Sequence, residues 1–255
     1  MRKTLSLFIV LIVAGCASSN ANRVAAVDKV ALAESRYKMG VAYLNTDNDY
    51  KAYLELKSAL EMEPENDKYL YTMGLFFIKK ERYEEAEPFI RRALDKKPDE
   101  SEYLNAYATV LAGTGRLEEA LGFWDRVIAD PGYPYQIIAL YNAGNALYEA
   151  GNYAKVPYYV ERALSINRRY AKGYELLFNS YMRLGDRLKA EQTALEAARM
   201  ISENPFFQLQ VAEFYFDKKE YAKAIPFLEI LLDNFPTTTE GARAEELMKQ
   251  LGLLQ

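Results

Sequence analysis

The residue types that most often carry catalysis or bind metals are almost missing from this sequence. It has no histidine and one cysteine among 255 residues. Histidine is the usual general base and the commonest metal ligand near neutral pH, so its absence excludes Ser-His and Cys-His nucleophiles and ordinary zinc sites. No glycine-rich phosphate loop is present either. The sequence therefore predicts a protein that is not an enzyme, with no metal, no cofactor and no small-molecule substrate.

The single cysteine, Cys16, directly follows a short apolar segment at the N-terminus. Arg2 and Lys3 precede an apolar run over 5–13, which is too short for the roughly 20 residues that span a bilayer but suits a secretory signal. The ending over 13–16, Val-Ala-Gly-Cys, resembles the lipobox of bacterial lipoproteins. The alternative is an ordinary cleaved signal with a chance cysteine.

The lipobox resemblance implies a signal peptide over 1–15 and a lipid anchor on Cys16. Residues 16–32 are then predicted to be a tether, because 17–22 is small and polar. Ala17 stands where an aspartate would often imply inner-membrane retention. The resemblance thus implies the outer membrane of a two-membrane bacterium, with the protein facing the periplasm.

The rest of the chain is an internal repeat. Small residues inside bulky helical patterns recur at Gly40, Gly74, Ala108, Gly144 and Ala212, with gaps of 34, 34, 36 and then 68, which is twice 34. A period of 34 is typical of tetratricopeptide (TPR) repeats, each a pair of antiparallel helices. The position missing from the series is occupied by a bulky residue, Phe178.

A second signature follows within repeats one, two, three and six, where a bulky residue comes four positions after an alanine. Such pairing lets helices approach closely at the small residue and fills the space beside it. The pairs are Ala52 and Leu56, Ala86 and Ile90, Ala120 and Trp124, and Ala224 and Leu228.

We therefore predict an all-α TPR solenoid of six helix-turn-helix repeats over 33–238, followed by a capping helix and tail over 239–255. Proline closes repeats because it cannot continue a helix, and an end helix shields the open face of a solenoid. The predicted repeats are 33–66, 67–100, 101–134, 137–170, 171–204 and 205–238.

The first helix of each TPR hairpin lines the concave side, so its positions at helical spacing predict a protein-binding groove. The first two repeats place apolar and aromatic residues there and the fourth is more polar. These groove positions are Tyr37, Val41, Leu44, Tyr71, Leu75, Ile78, Tyr141, Asn145 and Tyr148.

Two alternatives stay open for this groove. The segment 23–32, which includes Val30 and Leu32, can fold back and cover it. Asn142, Asn145 and Asn179 can bind a peptide backbone or simply be solvated. The net charge of −4 argues against nucleic acid as a partner.

One stretch of the sequence is more specific than a general TPR pattern. The join between the third and fourth repeats reads Asp-Pro-Gly-Tyr-Pro over 130–134 and continues as Ala-Leu-Tyr-Asn-Ala-Gly over 139–144. This resembles the type IV pilus pilotins of the PilF/PilW/Tgl family, which share the lipobox and the six-repeat layout. The departures are Phe178, with Ala194 where a bulky residue is usual, and the second-helix start over 153–157.

The resemblance implies an outer-membrane lipoprotein that binds secretin subunits, carries them to the outer membrane and promotes their multimerisation for type IV pilus biogenesis. It also implies that an apolar groove near the N-terminal repeats is involved. The alternative is a TPR lipoprotein adaptor for outer-membrane protein assembly or cell-wall enzymes.

Overall fold

The computed structural model describes residues 28–255, which are built from thirteen α-helices and contain no strand. The first helix, α1, occupies 28–45 of the described residues. The others are α2 (Asp49–Met62), α3 (Asp67–Lys79), α4 (Tyr83–Lys96), α5 (Ser101–Gly113), α6 (Leu117–Ala129), α7 (Gln136–Glu149), α8 (Val156–Ile166), α9 (Ala171–Leu184), α10 (Arg187–Met200), α11 (Pro205–Asp217), α12 (Tyr221–Asn234) and α13 (Thr239–Gln250).

The chain folds as two compact units, one ending at Arg116 and the other running from Leu117 to Gln255. The described part of the first unit holds α1 to α5, and the second holds α6 to α13. The boundary between the units falls inside the third predicted repeat. Within each unit, consecutive helices pack as antiparallel pairs joined by short turns.

The turns inside the hairpins repeat at the predicted period. Each has one residue with a left-handed backbone, at successive spacings of 34, 34, 36, 34 and 34 residues. Three of these are glycines, which adopt that conformation without steric cost, and three are not. They are Asp47, Glu81, Gly115, Gly151, Gly185 and Lys219.

Close packing at the small residues is the contact that the repeat signature predicted. A Cβ added to Gly40 would lie 2.7 Å from Leu56 Cγ, and one added to Gly144 would lie 2.7 Å from Val160 Cγ2. Leu56 and Val160 are fully buried. The all-α TPR fold predicted from the sequence is confirmed.

The predicted tether is corrected at its C-terminal end. Residues 28–32 are helical and belong to α1. The physical reason is that the segment lacks glycine and proline and includes Ala31 and Leu32, which favour helix. Val30 and Leu32 are 49% and 47% exposed in α1, so this part of 23–32 does not cover the groove. Cys16 and the rest of 1–27 lie outside the described residues.

The second helix of the fourth repeat begins late. A short 3-10 turn, Tyr153–Lys155, precedes α8, which has only 11 residues. Pro157 stands in the first turn of α8, where its missing N–H has no helical partner to lose. The unusual sequence over 153–157 therefore shortens the helix and leaves the hairpin in place.

The capping helix is present at the predicted position. Thr238 caps α13 by accepting a hydrogen bond from the Gly241 N–H at 3.1 Å. Ala244, Leu247 and Met248 on α13 are buried in a core cluster that also holds Leu228 and Leu231 of α12. The final helix thus covers apolar surface that the last hairpin would otherwise expose.

Candidate protein-binding surface

The predicted groove residues of the first unit lie on two neighbouring helices. All six are half-buried, so each side chain keeps part of its surface open to solvent while its helix packs. We call these residues the α1–α3 face. They are Tyr37, Val41 and Leu44 on α1 and Tyr71, Leu75 and Ile78 on α3.

Two tyrosines of the α1–α3 face also hold adjacent first helices together. The Tyr37 ring stacks on Tyr69 with centroids 4.7 Å apart, and its hydroxyl lies 3.3 Å from Thr72 Oγ1. Tyr71 packs against Tyr103 of α5, also at 4.7 Å. Truncating Tyr71 would therefore disturb packing between α3 and α5 as well as any bound partner. Leu75 and Ile78 are better positions for a test of binding.

A charged rim lies at one end of the α1–α3 face. Lys79 Nζ donates to Asp47 at 2.5 Å and to the Leu44 carbonyl at 3.3 Å. The hydrogen bond from Lys79 lowers the pKa of the Asp47 carboxyl below its usual value. An apolar centre beside a polar rim is the usual composition of a protein interface.

Sequence reasoning did not identify the acidic residues that fix these helices. The buried Tyr69 hydroxyl donates to Glu34 at 3.0 Å, and the Tyr103 hydroxyl donates to Asp67 at 2.6 Å. Burial, together with these carboxylates, raises the pKa of both phenols, which stay protonated as donors. The sequence does contain a signal for these bonds. The two tyrosines are 34 residues apart, and each follows its acidic partner by 35 or 36 residues.

In the second unit the three predicted residues lie on α7 and are also half-buried. Tyr141 meets Tyr170 edge-on with centroids 5.6 Å apart, and Tyr148 meets Tyr153 at 5.1 Å. Asn145 lies between them on the helix. Whether any of the predicted groove residues contacts a partner stays a prediction.

Of the three asparagines considered for backbone binding, Asn179 is exposed, whereas Asn142 and Asn145 are half-buried. Within 28–255, histidine, cysteine, aspartate and glutamate nowhere group in threes that could hold a metal ion. None of the described helices is both long enough and apolar enough to cross a membrane.

Comparison of the sequence with models of known protein families identifies the class of repeat to which these helical hairpins belong. Profiles described as tetratricopeptide repeat match residues 51–110 and 176–237. Together with the helical hairpins and their period, these matches define the chain as a TPR protein. The TPR fold is a scaffold for binding other proteins.

Two solved structures resemble the chain over most of its length. PilW, titled a widely conserved type IV pilus biogenesis factor, has a TM-score of 0.65 at 21% identity, covering 86% of this chain and 98% of PilW. PilF of Pseudomonas aeruginosa has a TM-score of 0.63 at 20% identity, covering 85% of this chain and 97% of PilF. At the level of fold, this supports the resemblance to the PilF/PilW/Tgl family.

The fold is shared more widely. A TPR protein from Parabacteroides merdae has a TM-score of 0.57 at 17% identity and covers 87% of each chain. A search of curated protein sequences finds no significant match. These identities are low, so the similarities establish the fold, and the partner has to be argued separately.

Proposed function

We propose that the protein is a lipid-anchored pilotin of the outer membrane, facing the periplasm. In this role it binds a secretin subunit and promotes its localisation and multimerisation for type IV pilus biogenesis. The observation that carries the proposal is the similarity to PilW, which spans 86% of this chain and nearly all of PilW. The lipobox at Cys16 and the Asp-Pro-Gly-Tyr-Pro join over 130–134 support it from the sequence.

The α1–α3 face is the proposed site for the secretin segment. Its exposed part combines aliphatic and aromatic side chains next to the Lys79–Asp47 rim. Desolvated aromatic and aliphatic anchors typically dominate the binding energy of an interface, and losing one costs about 2 kcal/mol or more. An amphipathic helix or extended peptide with apolar anchors fits such a face.

The test is a double substitution on the α1–α3 face, Leu75→Ser with Ile78→Ser. Removing two anchors should weaken secretin binding at least a hundredfold, since roughly 1.4 kcal/mol corresponds to a factor of ten. Cells carrying the variant should show secretin monomers in place of heat-stable multimers, and surface pili should be lost. The measurement is a multimer gel with the level of the variant protein checked alongside.

The matched control is Tyr50→Ser with Leu54→Ser on α2. These side chains are 75% and 44% exposed and lie outside the α1–α3 face. The control should leave multimers unchanged. Normal multimers in the Leu75 and Ile78 variant would remove this face from the mechanism. Normal multimers in a complete deletion would exclude the pilotin role and favour an adaptor for outer-membrane protein assembly or cell-wall enzymes.

A further inference from the structure

The first turn and a half of α1 projects beyond the hairpin that it forms with α2. The two helices are antiparallel, and a Cβ added to Gly40 would lie 2.7 Å from Leu56 Cγ. The same register places Glu34 level with Met62, where α2 ends. Residues 28–32 therefore extend past the end of α2, and all five are exposed. We call residues 28–32 the α1 extension.

The α1 extension is apolar at three of its five positions. Val30 and Leu32 are 49% and 47% exposed, and Ala31 is exposed between them. Val30 and Leu32 point to nearly opposite sides of the helix, because two residues correspond to a rotation of about 200°. A helix with apolar side chains on opposite sides is typical of a segment that apolar material surrounds, since helical stability depends mainly on such packing.

The α1 extension is also the part of the described chain that follows the proposed lipid anchor most closely. Eleven residues, 17–27, separate Cys16 from Asp28. Even at full extension, this length of chain spans at most about 40 Å. Confinement to such a distance from a membrane corresponds to an effective concentration in roughly the millimolar range. At that concentration, a contact made by a few apolar side chains is sufficient to hold the extension on the lipid.

We propose that the α1 extension docks on the bilayer surface, with Val30 and Leu32 at the boundary between the lipid headgroups and the acyl chains. This docking rests on the lipid anchor of the proposed function and adds a second membrane contact, made by the folded chain itself. Apolar side chains of interfacial helices enter that boundary by about 5–10 Å. The groove residues of α1, Tyr37 to Leu44, then lie no more than about 18 Å along the helix from Leu32. Docking therefore holds the α1–α3 face close to the membrane.

Apolar contact, and not charge, drives this docking. The charged residues over 17–34 are Arg23, Asp28, Lys29 and Glu34, which are two basic and two acidic residues, so the segment is neutral. A basic segment would be attracted to anionic lipids, and salt would weaken that attraction. Because the α1 extension and the chain beside it carry no net charge, the docking should persist when salt is added.

A second copy of the chain fits this end of α1 less well than a bilayer does. Ser35 and Lys38 are exposed on α1, whereas the residues one repeat later, Tyr69 and Thr72, are buried. A copy that continued the repeat stack would have to bury the Lys38 ammonium group, which is costly without a partner for its charge. A rigid protein surface laid against the α1 extension would also cover one of its two apolar sides, whereas fluid lipid surrounds both.

The experiment places a fluorescent dye on the α1 extension of the mature, acylated chain. The single cysteine, Cys16, carries the lipid in that form, so Ala31→Cys adds one free thiol for the dye. Chains are reconstituted singly into nanodiscs of phosphatidylethanolamine and phosphatidylglycerol that contain a nitroxide-labelled lipid as a short-range quencher. The comparison dye is on Asn45→Cys, exposed on the same helix and about 20 Å further along it. We expect several-fold stronger quenching at 31 than at 45, unchanged by added salt.

A double substitution tests whether the apolar side chains make the contact. Val30→Gln with Leu32→Gln, in the chain labelled at 31, removes both without a change of charge. Glutamine is a good helix former, so α1 should stay helical, and circular dichroism checks this. Quenching should fall to roughly half or less, because apolar burial is what holds an interfacial helix. The matched control is Met39→Gln, which removes a 37% exposed side chain further along the same helix and should leave quenching unchanged.

Each other result overturns the proposal. Equal quenching at 31 and 45 means that the α1 extension is not at the bilayer. Full quenching in the glutamine variant, or an equal loss with Met39→Gln, means that the tether alone determines the distance. Quenching that salt abolishes assigns the contact to charge, and a dye at 31 that is shielded only with two chains in a nanodisc assigns it to a second copy. A mature chain whose mass shows no acyl group removes the anchor and this docking together, whereas secretin multimers test the groove separately.

Discussion

At the scale of single residues, the fold depends on contacts between a small residue on one helix and a bulky one on its partner. A Cβ on Gly74 would lie 2.5 Å from Ile90 Cγ1 and still closer to its Cδ1. Ile90 is fully buried and has no free space to enter. The sequence predicted this contact because a small residue and a bulky residue recur at these two positions in repeats one, two, three and six.

We expect Gly74→Leu to lower the free energy of unfolding by about 3 kcal/mol, because it overpacks the contact with Ile90. The matched control is Gly122→Leu, since Gly122 is a helical glycine with nothing within 4 Å of an added Cβ. That change should be neutral or stabilising by up to about 1 kcal/mol. Thermal and urea melts followed by circular dichroism measure both. Equal stability of the two variants would show that Gly74 is not at a tight helix contact.

Asp67 links α3 to its neighbours through one carboxylate. Its Oδ2 accepts from the Tyr103 hydroxyl at 2.6 Å and lies 2.7 Å from Lys97 Nζ. Burial raises the pKa of this carboxyl, but the hydrogen bonds from Lys97 and Tyr103 outweigh it, so the folded pKa lies below 3.8. A carboxyl of this kind stabilises the fold above its unfolded pKa, and the contribution is lost as pH falls through the folded pKa.

Asp67→Asn should therefore reduce the free energy of unfolding by about 1 kcal/mol near neutral pH and have little effect in strong acid, where both chains carry a neutral group. Urea melts over a range of pH measure the difference. Asp95→Asn, an exposed carboxyl on α4, should behave as wild type throughout. A constant difference between the Asp67 variant and wild type at every pH would rule out the linkage.

At the scale of helices, the fifth repeat has a bulky residue where a small one is usual, and a small residue where a bulky one is usual. Phe178 replaces the small residue of α9, and its ring packs near Phe206, Phe207 and Phe214 of α11 at 5.7 to 6.4 Å. Ala194 replaces the bulky residue of α10 and is fully buried. Bulk lost from α10 therefore reappears on α9, where the buried Phe178 ring fills the core against α11.

The capping helix α13 allows a test of whether each helix mainly stabilises its neighbours. Leu247→Ala should cost 2–3 kcal/mol or so, because Leu247 is 2% exposed within the last core cluster. Hydrogen exchange should speed up most in α12 and α13 and least in α7, since helices of a repeat stack mainly contact their neighbours. Glu245→Ala, an exposed position on the same helix, should change stability by less than about 0.5 kcal/mol. Uniform acceleration across the second unit would contradict local capping.

At the scale of the whole molecule, the proposed function requires the chain to be held at a membrane. We expect Cys16→Ser to release the protein from outer-membrane fractions, as soluble protein or as an uncleaved precursor. An acylated cysteine stabilises attachment by about 0.8 kcal/mol for each buried CH₂. Metabolic labelling with a tagged fatty acid tests this directly. A wild-type chain that takes up no label would contradict the lipoprotein assignment.

The sequence by itself determined the repeat period, the helix pairs and the capping helix. These features are local, because they follow from a 34-residue pattern of small, bulky and turn residues along the chain. The site residues were assigned to faces by helical periodicity, which does not reveal their neighbours. The sequence also assigned 28–32 to the tether, whereas these residues are helical and belong to α1.

Only the tertiary structure decided which side chains meet across repeats. The sequence predicted that Tyr71 binds a partner protein. In the structure its ring packs on Tyr103, which lies 32 positions further along the chain. The bonds from Tyr69 to Glu34 and from Tyr181 to Glu161, and the cleft between α8, α9 and α10, likewise arise from distant residues. The size of a cleft depends on how several helices fill one volume. The sequence of one helix does not determine the size of a cleft. Its periodicity does determine which of its residues share a face.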